Sequence, residues 1–376
     1  MYSIDSRTIK SGDIFIPIKG KNFDGQDFIP YLIEKNIKIA DTSLEKIAMM
    51  HRKNKTKGTV IGITGSSGKT TVKDMLTHLL RAKHKVHSTL ENQNNEIGAP
   101  LTLINAPDDA DFIIVEMGMR HRGDIQYLTN IIRPNITIIT SIGTAHIELL
   151  KNQRNIAFGK AEIYDFPKDN KEYLAFISST INQLNVINNQ AIKHNFNTRI
   201  IKANNILDTN KSIVKSVGEF AGLSKKEIEI SLNNFKPKSN HRNQTINWES
   251  NIIIDDTYNA NPESMEYAIE AAKQNYPTKE IITVFGEMKE LGKKEESYHS
   301  ELAKITIKEE RISSAIFYGD TYKRIEKKNH KCYYYTDKNL VLEKIKDMQP
   351  KNKIILFKGS RSAKMETIIK ELTNHA

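Results

Sequence analysis

Apolar and polar positions fall into alternating blocks along the chain. Residues 59–63, Thr-Val-Ile-Gly-Ile, are mostly β-branched and apolar, which predicts a buried strand. Past Gly65-Ser66-Ser67-Gly68, residues 69–82 place Val72, Met75, Leu76, Leu79 and Leu80 at helical spacing. The alternation continues with an apolar run at 111–117, a helix over 124–131 and a second apolar strand at 135–142. In the last third, strands at 251–256, 281–285, 314–318, 333–335 and 354–357 alternate with helices starting near Pro262 and spanning 297–309, 337–348 and 361–373. Repeated β-α alternation predicts an α/β protein with mostly parallel, doubly wound sheets.

The pattern also suggests three domains. Residues 1–57 read as a small unit, with a strand around Ile14, Ile16 and Ile18, a short helix over 28–35, and a polar linker at 51–58. Residues 58–237 read as a central domain that opens on the strand–glycine–helix stretch. Residues 238–376 read as a third. Between 165 and 203 the Asn- and Lys-rich sequence shows no clear sheet pattern. Ser224-Lys-Lys-Glu227 starts a helix with a capping box, and Pro237 marks its end.

Composition narrows the function classes. Of 376 residues, 38% are hydrophobic and 27% charged, which suits a globular protein with sizeable cores. A single cysteine, Cys332, excludes an internal disulfide and any multi-cysteine metal site, in keeping with a reducing cytoplasm. No run approaches the roughly 18 apolar residues of a membrane span, and the N-terminal residues lack a signal-peptide core. The net charge of +11 would favour a polyanionic partner. The lysines are scattered, however, with no basic stripe interleaved with aromatics, so compositional drift accounts for the charge, a nucleotide-type substrate benefits from it incidentally, and nucleic acid is not expected.

The candidate chemistry sits at strand ends. Strand, glycine loop, Lys-Thr and helix together hold a nucleotide triphosphate. Glycines let backbone N–H groups close on phosphate oxygens, the helix N-terminus adds its dipole, Lys69 adds charge, and the Thr70 hydroxyl can ligate Mg²⁺. The spacing departs from the common phosphate loop, because Ile63 stands where the first glycine is expected. Glu116 ends the apolar run at 111–117, where an α/β sheet faces its ligand crevice and where a Mg²⁺ ligand would be needed. His146 follows the next strand and is a functional candidate for the same reason. The amide-rich loop 88–100, with Asn94, Asn95 and Glu96, suits recognition of a polar ligand, although a solvated loop would have the same composition. Asp5-Ser6-Arg7 is equally compatible with a binding turn and a surface turn.

These residues are familiar as a set. Gly62-x-Thr64-Gly65-x-x-Gly68-Lys69-Thr70-Thr71 resembles the ATP loop of the Mur ligases and of folylpolyglutamate synthases. Asn92-Gln-Asn-Asn-Glu-Ile-Gly-Ala-Pro, Glu116-Met-Gly, Asp255-Asp-Thr-Tyr-Asn-Ala-Asn-Pro, Gly286-Glu-Met-Lys-Glu-Leu-Gly and Lys358-Gly-Ser-Arg are similar to the Mur branch that adds D-alanyl-D-alanine to UDP-N-acetylmuramoyl-tripeptide. The opening Asp-Ser-Arg and Gly-Asp-Ile-Phe-Ile-Pro-Ile-Lys-Gly resemble that family's UDP-binding domain. The resemblance implies a cytoplasmic, monomeric ATP-dependent amide ligase of peptidoglycan synthesis. Its three domains would be a UDP-binding α/β domain, a central P-loop-type sheet and a C-terminal Rossmann-like sheet.

The resemblance also implies site residues. ATP would meet Thr64, Gly65, Ser66, Ser67, Gly68, Lys69, Thr70 and Thr71. Arg242 and Asp256 would reach the nucleotide from the third domain, with Asn259 and Asn261 near adenine. Thr70 and Glu116 would hold one Mg²⁺, and His146 with a carbamylated Lys160 would serve a second. Ser6, Arg7, Asn94, Asn95, Glu96, Lys358, Ser360 and Arg361 would bind the substrates. A further stretch of sheet is expected after Lys160, yet the interval from Lys160 to Arg242 is short for it. The family's His-Asn-x-x-Asn stretch has only a loose counterpart at 204–208, leaving its last position to Asp208 or Asn210. Two rival readings are a nucleotide-binding partner or scaffold without ligase activity, and a folate-glutamylating ligase. Asp5-Ser6-Arg7 and the Tyr258–Pro262 stretch argue against the second.

Overall fold

The computed structural model describes all residues except 21, 170–171, 204–205, 238–240, 326–328 and 375–376. The chain packs as two compact units. One comprises Met1–Thr140, Ala157–Lys202 and Lys211–Phe235, and the other comprises Ser141–Ile156, Ala203–Asn210 and Lys236–Ala376.

Two sheets lie in the first unit. Strands β1 (Tyr2–Ser3), β2 (Ile14–Phe15) and β3 (Lys38–Ile39) form a small parallel sheet. The larger sheet is built from β4 (Thr59–Thr64), β5 (Val86–Ser88), β6 (Phe112–Glu116), β7 (Ile136–Ile139), β8 (Leu174–Ser178) and β9 (Asn197–Ile201). Its order is β5-β6-β4-β7-β8-β9, and every pair is parallel. From β4 the chain turns to β5 and β6 on one side, then returns to β7 on the other. The carboxyl end of β4 is therefore the switch point, where open α/β sheets form their ligand crevice.

Burial explains why this strand tolerates no polar alternation. Val60, Ile61 and Ile63 are completely buried because helices cover both faces. On one face Val72, Met75, Leu76 and Leu79 of the helix Lys69–Leu80 pack with Ile61, Ile63, Ile114 and Ile138. Ile213, Val214 and Val217 of the helix Ile206–Phe220 join the same cluster.

The structure corrects two sequence-based readings. The expected linker at 51–58 is half helix, since Leu44–Asn54 is one continuous element. Its Arg52 donates to the carbonyls of Ile132 and Arg133 and to Asn135 Oδ1, so a polar segment is docked, not free to swing. The patternless stretch 165–203 holds β8, the helix Leu184–Lys193 and β9. The sheet expected after Lys160 is thus present despite the short interval. Asn204 and Asn205 of the loose family counterpart lie outside the described residues, while Asp208 and Asn210 belong to the helix Ile206–Phe220.

The second unit carries β10 (Gln244–Trp248), β11 (Asn251–Asp256), β12 (Ile281–Gly286), β13 (Ile312–Tyr318), β14 (Cys332–Tyr335) and β15 (Ile354–Lys358). Their order is β10-β11-β15-β12-β13-β14. Among the described residues of this sheet, only β10 runs antiparallel, forming an edge hairpin with β11 that the pattern did not predict. The helix Pro262–Asn275 starts with Pro262 at its first turn, as the sequence predicts, and Asn261 caps it. The capping box of Ser224 and Glu227 likewise forms at the helix Lys225–Asn234.

Candidate active site

In the first unit the site is built where β4, β6 and β7 end together. Gly68 precedes the helix Lys69–Leu80 with φ of +83°, a left-handed conformation that glycine adopts without steric cost and that turns the loop into the helix. Lys69, the first helical residue, folds back so that its ammonium donates to the Gly65 carbonyl at 2.9 Å. Thr70 beside it is buried. The loop is pinned from below by Thr140, just past β7. Its backbone N–H donates to Thr64 O at 2.9 Å, and its hydroxyl donates to Ser67 O at 2.6 Å. Sequence reasoning missed Thr140. Its only signal is a hydroxyl immediately after an apolar strand.

Glu116 lies level with the loop, since it pairs in register with Ile63 of β4. It is 1% exposed. Oε1 accepts from Asn94 Nδ2 at 2.7 Å, whereas Oε2 is buried with no hydrogen-bond partner among the described residues. Thr64 Oγ1, at the end of the neighbouring strand, is also buried and unpartnered. Buried polar atoms are nearly always satisfied, and an unpaired carboxylate oxygen is among the costliest to leave. A hard divalent cation takes such an oxygen as ligand, so the residues present fit Mg²⁺. Among the described residues no three His, Cys, Asp or Glu side chains cluster closely enough to hold a metal by themselves. A phosphate-bridged ion does not need such a cluster, because Mg²⁺ typically combines one or two protein ligands with substrate oxygens and water.

The amide-rich loop divides its labour. Asn94 holds Glu116, and its backbone carbonyl accepts from Gly118 N at 2.8 Å. A side chain at Gly118 would meet Asn94 Oδ1 at 2.6 Å, which accounts for the glycine of Glu116-Met-Gly. Asn95 Oδ1 accepts from Gly98 N at 2.9 Å and so braces the start of the helix Gly98–Ile104. Glu96 is exposed. Lys160, in the helix Gln153–Ala161, is 2% exposed and has no hydrogen-bond or ion-pair partner among the described residues. Burial, reinforced by the Lys69 ammonium, pushes its amine well below the usual lysine range. In the opening turn, Arg7 is engaged by Asp5, with Nε to Oδ1 at 2.9 Å and Nη2 to Oδ2 at 2.8 Å. Ser6 sits half-buried between them.

The second unit gathers its own polar group at strand ends. Asp256 and Lys358 are register partners on β11 and β15, and Lys358 Nζ reaches Asp256 Oδ2 at 2.5 Å and the Asn259 carbonyl at 2.9 Å. Asp255 is buried, accepting from Thr257 and lying 2.7 Å from His241 Nδ1. The Arg242 guanidinium stacks 3.8 Å over the Tyr258 ring, and Asn259 is exposed. Asn261 serves as a helix cap, its Oδ1 accepting from Ser264 N. Ser360 Oγ lies 3.1 Å from Ser362 Oγ, and Arg361 donates to Glu366. His146 also belongs to this unit, with Nδ1 2.5 Å from Glu290 Oε2 in the Gly286–Gly292 stretch. Thr144, two residues earlier, donates from N and Oγ1 to Glu263 Oε2 at 3.1 and 2.9 Å. Glu263, another residue not anticipated from sequence, therefore shapes the loop that carries His146.

A phosphate loop at a switch point with a buried acidic residue beside it defines a nucleotide-phosphate site, and the family matches make it that of an ATP-dependent ligase. Three family matches agree: the Mur ligase middle domain over 63–246, the Mur ligase glutamate ligase domain over 241–361, and the Mur ligase family catalytic domain over 1–84. The chain belongs to the Mur ligase family.

Among its curated relatives, the UDP-N-acetylmuramoyl-tripeptide--D-alanyl-D-alanine ligase of Buchnera aphidicola from Baizongia pistaciae is 32% identical, over 98% of this chain and 91% of that protein. The enzyme of the same name from Bacillus subtilis is 29% identical, over 98% and 92%. That alignment spans 427 positions against the 376 residues of this chain, so the relative carries insertions absent here. The fold matches a crystal structure of MurF from Acinetobacter baumannii with a TM-score of 0.87 at 24% identity, covering 99% of this chain and 93% of that one. It also matches MurF ligase from Thermotoga maritima in complex with ADP, with a TM-score of 0.83 at 24% identity and coverage of 100% and 98%. Among the described residues no helix is long and apolar enough to cross a membrane.

Proposed function

We propose that this chain joins D-alanyl-D-alanine to UDP-N-acetylmuramoyl-tripeptide in peptidoglycan precursor synthesis, acting as a cytoplasmic monomer. The observation that carries the reading is the buried, half-satisfied Glu116 carboxylate one strand from the phosphate loop. The names of the curated relatives supply the substrates.

The reaction has two steps. A carboxylate oxygen of the tripeptide attacks the γ-phosphorus of ATP, the bond to the β-bridging oxygen breaks, and ADP leaves with an acyl phosphate formed. The dipeptide amine then attacks the acyl carbon and loses a proton. The tetrahedral intermediate expels inorganic phosphate and leaves the amide. Phosphoryl transfer asks the protein mainly for positioning and charge stabilisation. Lys69 and the amides of 65–70 would grip the β- and γ-phosphates, with Thr64, Ser66, Ser67 and Thr71 lining the loop. Arg242, Asp256, Asn259 and Asn261 would complete the nucleotide site, Asn261 while capping its helix. Ser6 and Arg7 of the 1–57 region would meet the UDP moiety. Asn94, Asn95, Glu96, Lys358, Ser360 and Arg361 would contact the peptide substrates, the last three from the 238–376 region.

Thr70 and Glu116 would hold one Mg²⁺, and His146 with carbamylated Lys160 a second. Bound there, the ions would neutralise charge on the transferring phosphoryl group. Lys160 suits carbamylation because burial lowers its proton affinity and so leaves more of the amine neutral and nucleophilic toward CO₂ than an exposed lysine would be. The product presents an anionic oxygen to a hard cation.

The direct test is a product assay. With ATP, Mg²⁺, UDP-tripeptide and D-Ala-D-Ala, the purified chain is expected to yield the UDP-pentapeptide by mass spectrometry. Phosphate release should require both acceptor and donor. ATP binding without that product would favour the scaffold reading instead. Running lysine- and diaminopimelate-containing tripeptides in parallel identifies the third residue.

Lys160→Met makes opposite predictions for stability and activity. A buried lysine with a depressed folded-state pKa binds its proton less tightly than in the unfolded chain. Its penalty is therefore full below the folded pKa and fades as pH rises toward the unfolded value of about 10.4. In CO₂-free buffer at pH 7, the variant should melt higher than the wild type by a few degrees, roughly 1 kcal/mol, and the gain should shrink by pH 10. Ligase activity should fall by about 10²-fold or more, with none of the recovery on adding bicarbonate that is expected of the wild type. A variant less stable than wild type at pH 7 would mean that the amine is better satisfied than its surroundings indicate.

A further inference from the structure

The helix behind the phosphate loop contains a second lysine, one turn after Lys69, that the reaction above does not use. Lys73 is 3% exposed. Its ammonium donates to Thr89 O at 2.9 Å and Glu91 O at 3.1 Å, and lies 3.0 Å from Asp74 Oδ1. Both carbonyls belong to the segment leaving β5, and Glu91 has a positive φ of +46°, an uncommon conformation for a residue with a side chain. A buried ammonium is costly unless it is satisfied, and here its partners tie the 89–91 segment to the helix.

What it fixes is the mount of Glu116. The Thr89 hydroxyl accepts from Glu116 N at 3.0 Å, and the Thr89 N–H donates to Ile114 O at 3.0 Å. Thr102 Oγ1 donates to the same hydroxyl at 3.3 Å. Two residues beyond Glu91 the chain reaches 93–94, and Asn94 holds Glu116 Oε1 at 2.7 Å. The backbone of Glu116 and one carboxylate oxygen are thus both anchored to the 89–94 segment. That segment is tied by Lys73 to the helix that carries Lys69 and Thr70.

We infer that Lys73 is a positioning residue that sets the Glu116 carboxylate against the Thr70 end of its own helix, and so tunes the affinity for the divalent ion that Glu116 and Thr70 would hold. This rests on the reading of Glu116 as a Mg²⁺ ligand. Lys73 touches neither nucleotide nor metal in this scheme. It acts through Thr89 and Asn94, so its loss should appear in metal dependence and not in the grip of the loop on phosphate.

The test uses the full chain and ADP binding by calorimetry, with Mg²⁺ titrated and with EDTA, alongside the Mg²⁺ dependence of turnover. Lys73→Met keeps the aliphatic stem and removes the three polar contacts. Thr89→Val removes the hydroxyl under Glu116 with little change of shape, and it decides the matter if Lys73→Met does not fold. Both should raise the Mg²⁺ concentration for half-maximal ADP binding and turnover by about tenfold or more, the scale for partners that orient a metal ligand. Metal-free ADP affinity should stay within about twofold of wild type. An unchanged Mg²⁺ dependence, or metal-free affinity falling by the same factor, would overturn the assignment in favour of a purely structural lysine. Glu116→Gln separates the two levels. If it binds ADP with wild-type Mg²⁺ dependence, the ligand reading fails and the Lys73 proposal with it. If Glu116→Gln shifts and the other two do not, only the Lys73 proposal fails.

Discussion

Lys69→Ala is expected to lower turnover by about 10²–10³-fold, or roughly 3–4 kcal/mol of transition-state stabilisation, while leaving the fold intact. Lys69 opens its helix after the left-handed Gly68 and reaches the Gly65 carbonyl at 2.9 Å, so its ammonium is already held over the loop. Preorganisation of this kind gives a charge most of its effect, because nothing need reorient as phosphoryl charge develops. The side chain is only half-buried and contributes little to the core, so truncation should shift the melting temperature slightly. Lys69→Arg should restore only part of the rate, since a planar guanidinium does not replace a compact ammonium inside a tight loop. Steady-state kinetics at saturating substrates check this. A Lys69→Ala enzyme with near-normal turnover would remove the residue from the phosphate site.

The phosphate loop was legible because two hydrophobic periods meet there with glycines between them. A fully buried strand has to be apolar throughout, and the following helix has to face it with Val72, Met75, Leu76 and Leu79. Strand β9 was illegible for the opposite reason. It lies at the edge of its sheet with Asn197, Arg199 and Ile200 exposed, so polar and apolar side chains both occupy open positions. The helix Leu184–Lys193 buries Ile187 and Ala191 among asparagines, in a chain where Ile and Asn are abundant everywhere. The 51–58 segment shows a related limit. Charged residues suggested a linker, yet Arg52 is recruited to cap carbonyls near the end of a neighbouring helix.

Within the site, residue type was easier to read than residue role. An asparagine that caps a helix and one that faces a ligand look alike in sequence. Asn95 and Asn261 both spend their side-chain oxygen on backbone N–H groups at helix starts. Asn94 spends its amide on Glu116. Lys358, expected among substrate contacts, also pairs with Asp256, because β11 and β15 place the two in register. Such roles depend on pairing between strands about a hundred residues apart in sequence, as in the Lys358–Asp256 contact. Neither periodicity nor local spacing carries that information.

Glu116→Gln is the second large prediction, and it moves stability and activity in opposite directions. Oε1 is satisfied by Asn94 at 2.7 Å, while Oε2 is buried without a partner among the described residues. Without metal or nucleotide, the wild-type protein therefore carries a half-satisfied buried carboxylate, and a neutral amide of the same shape costs less there. Glutamine can keep its oxygen toward Asn94 Nδ2, so the variant should melt at least as high as the wild type in EDTA. With Mg²⁺ and ATP present the order should reverse, because glutamine supplies no anionic ligand and gains little from the ion. Turnover should fall by about 10²–10³-fold, and extra Mg²⁺ should recover it only in part. Paired thermal melts, in EDTA and in Mg²⁺ with a non-hydrolysed ATP analogue, read the two states directly. If Glu116→Gln were destabilised in EDTA, Oε2 would have a structural partner in solution, and its unpaired state could not be taken as a vacancy shaped for a cation.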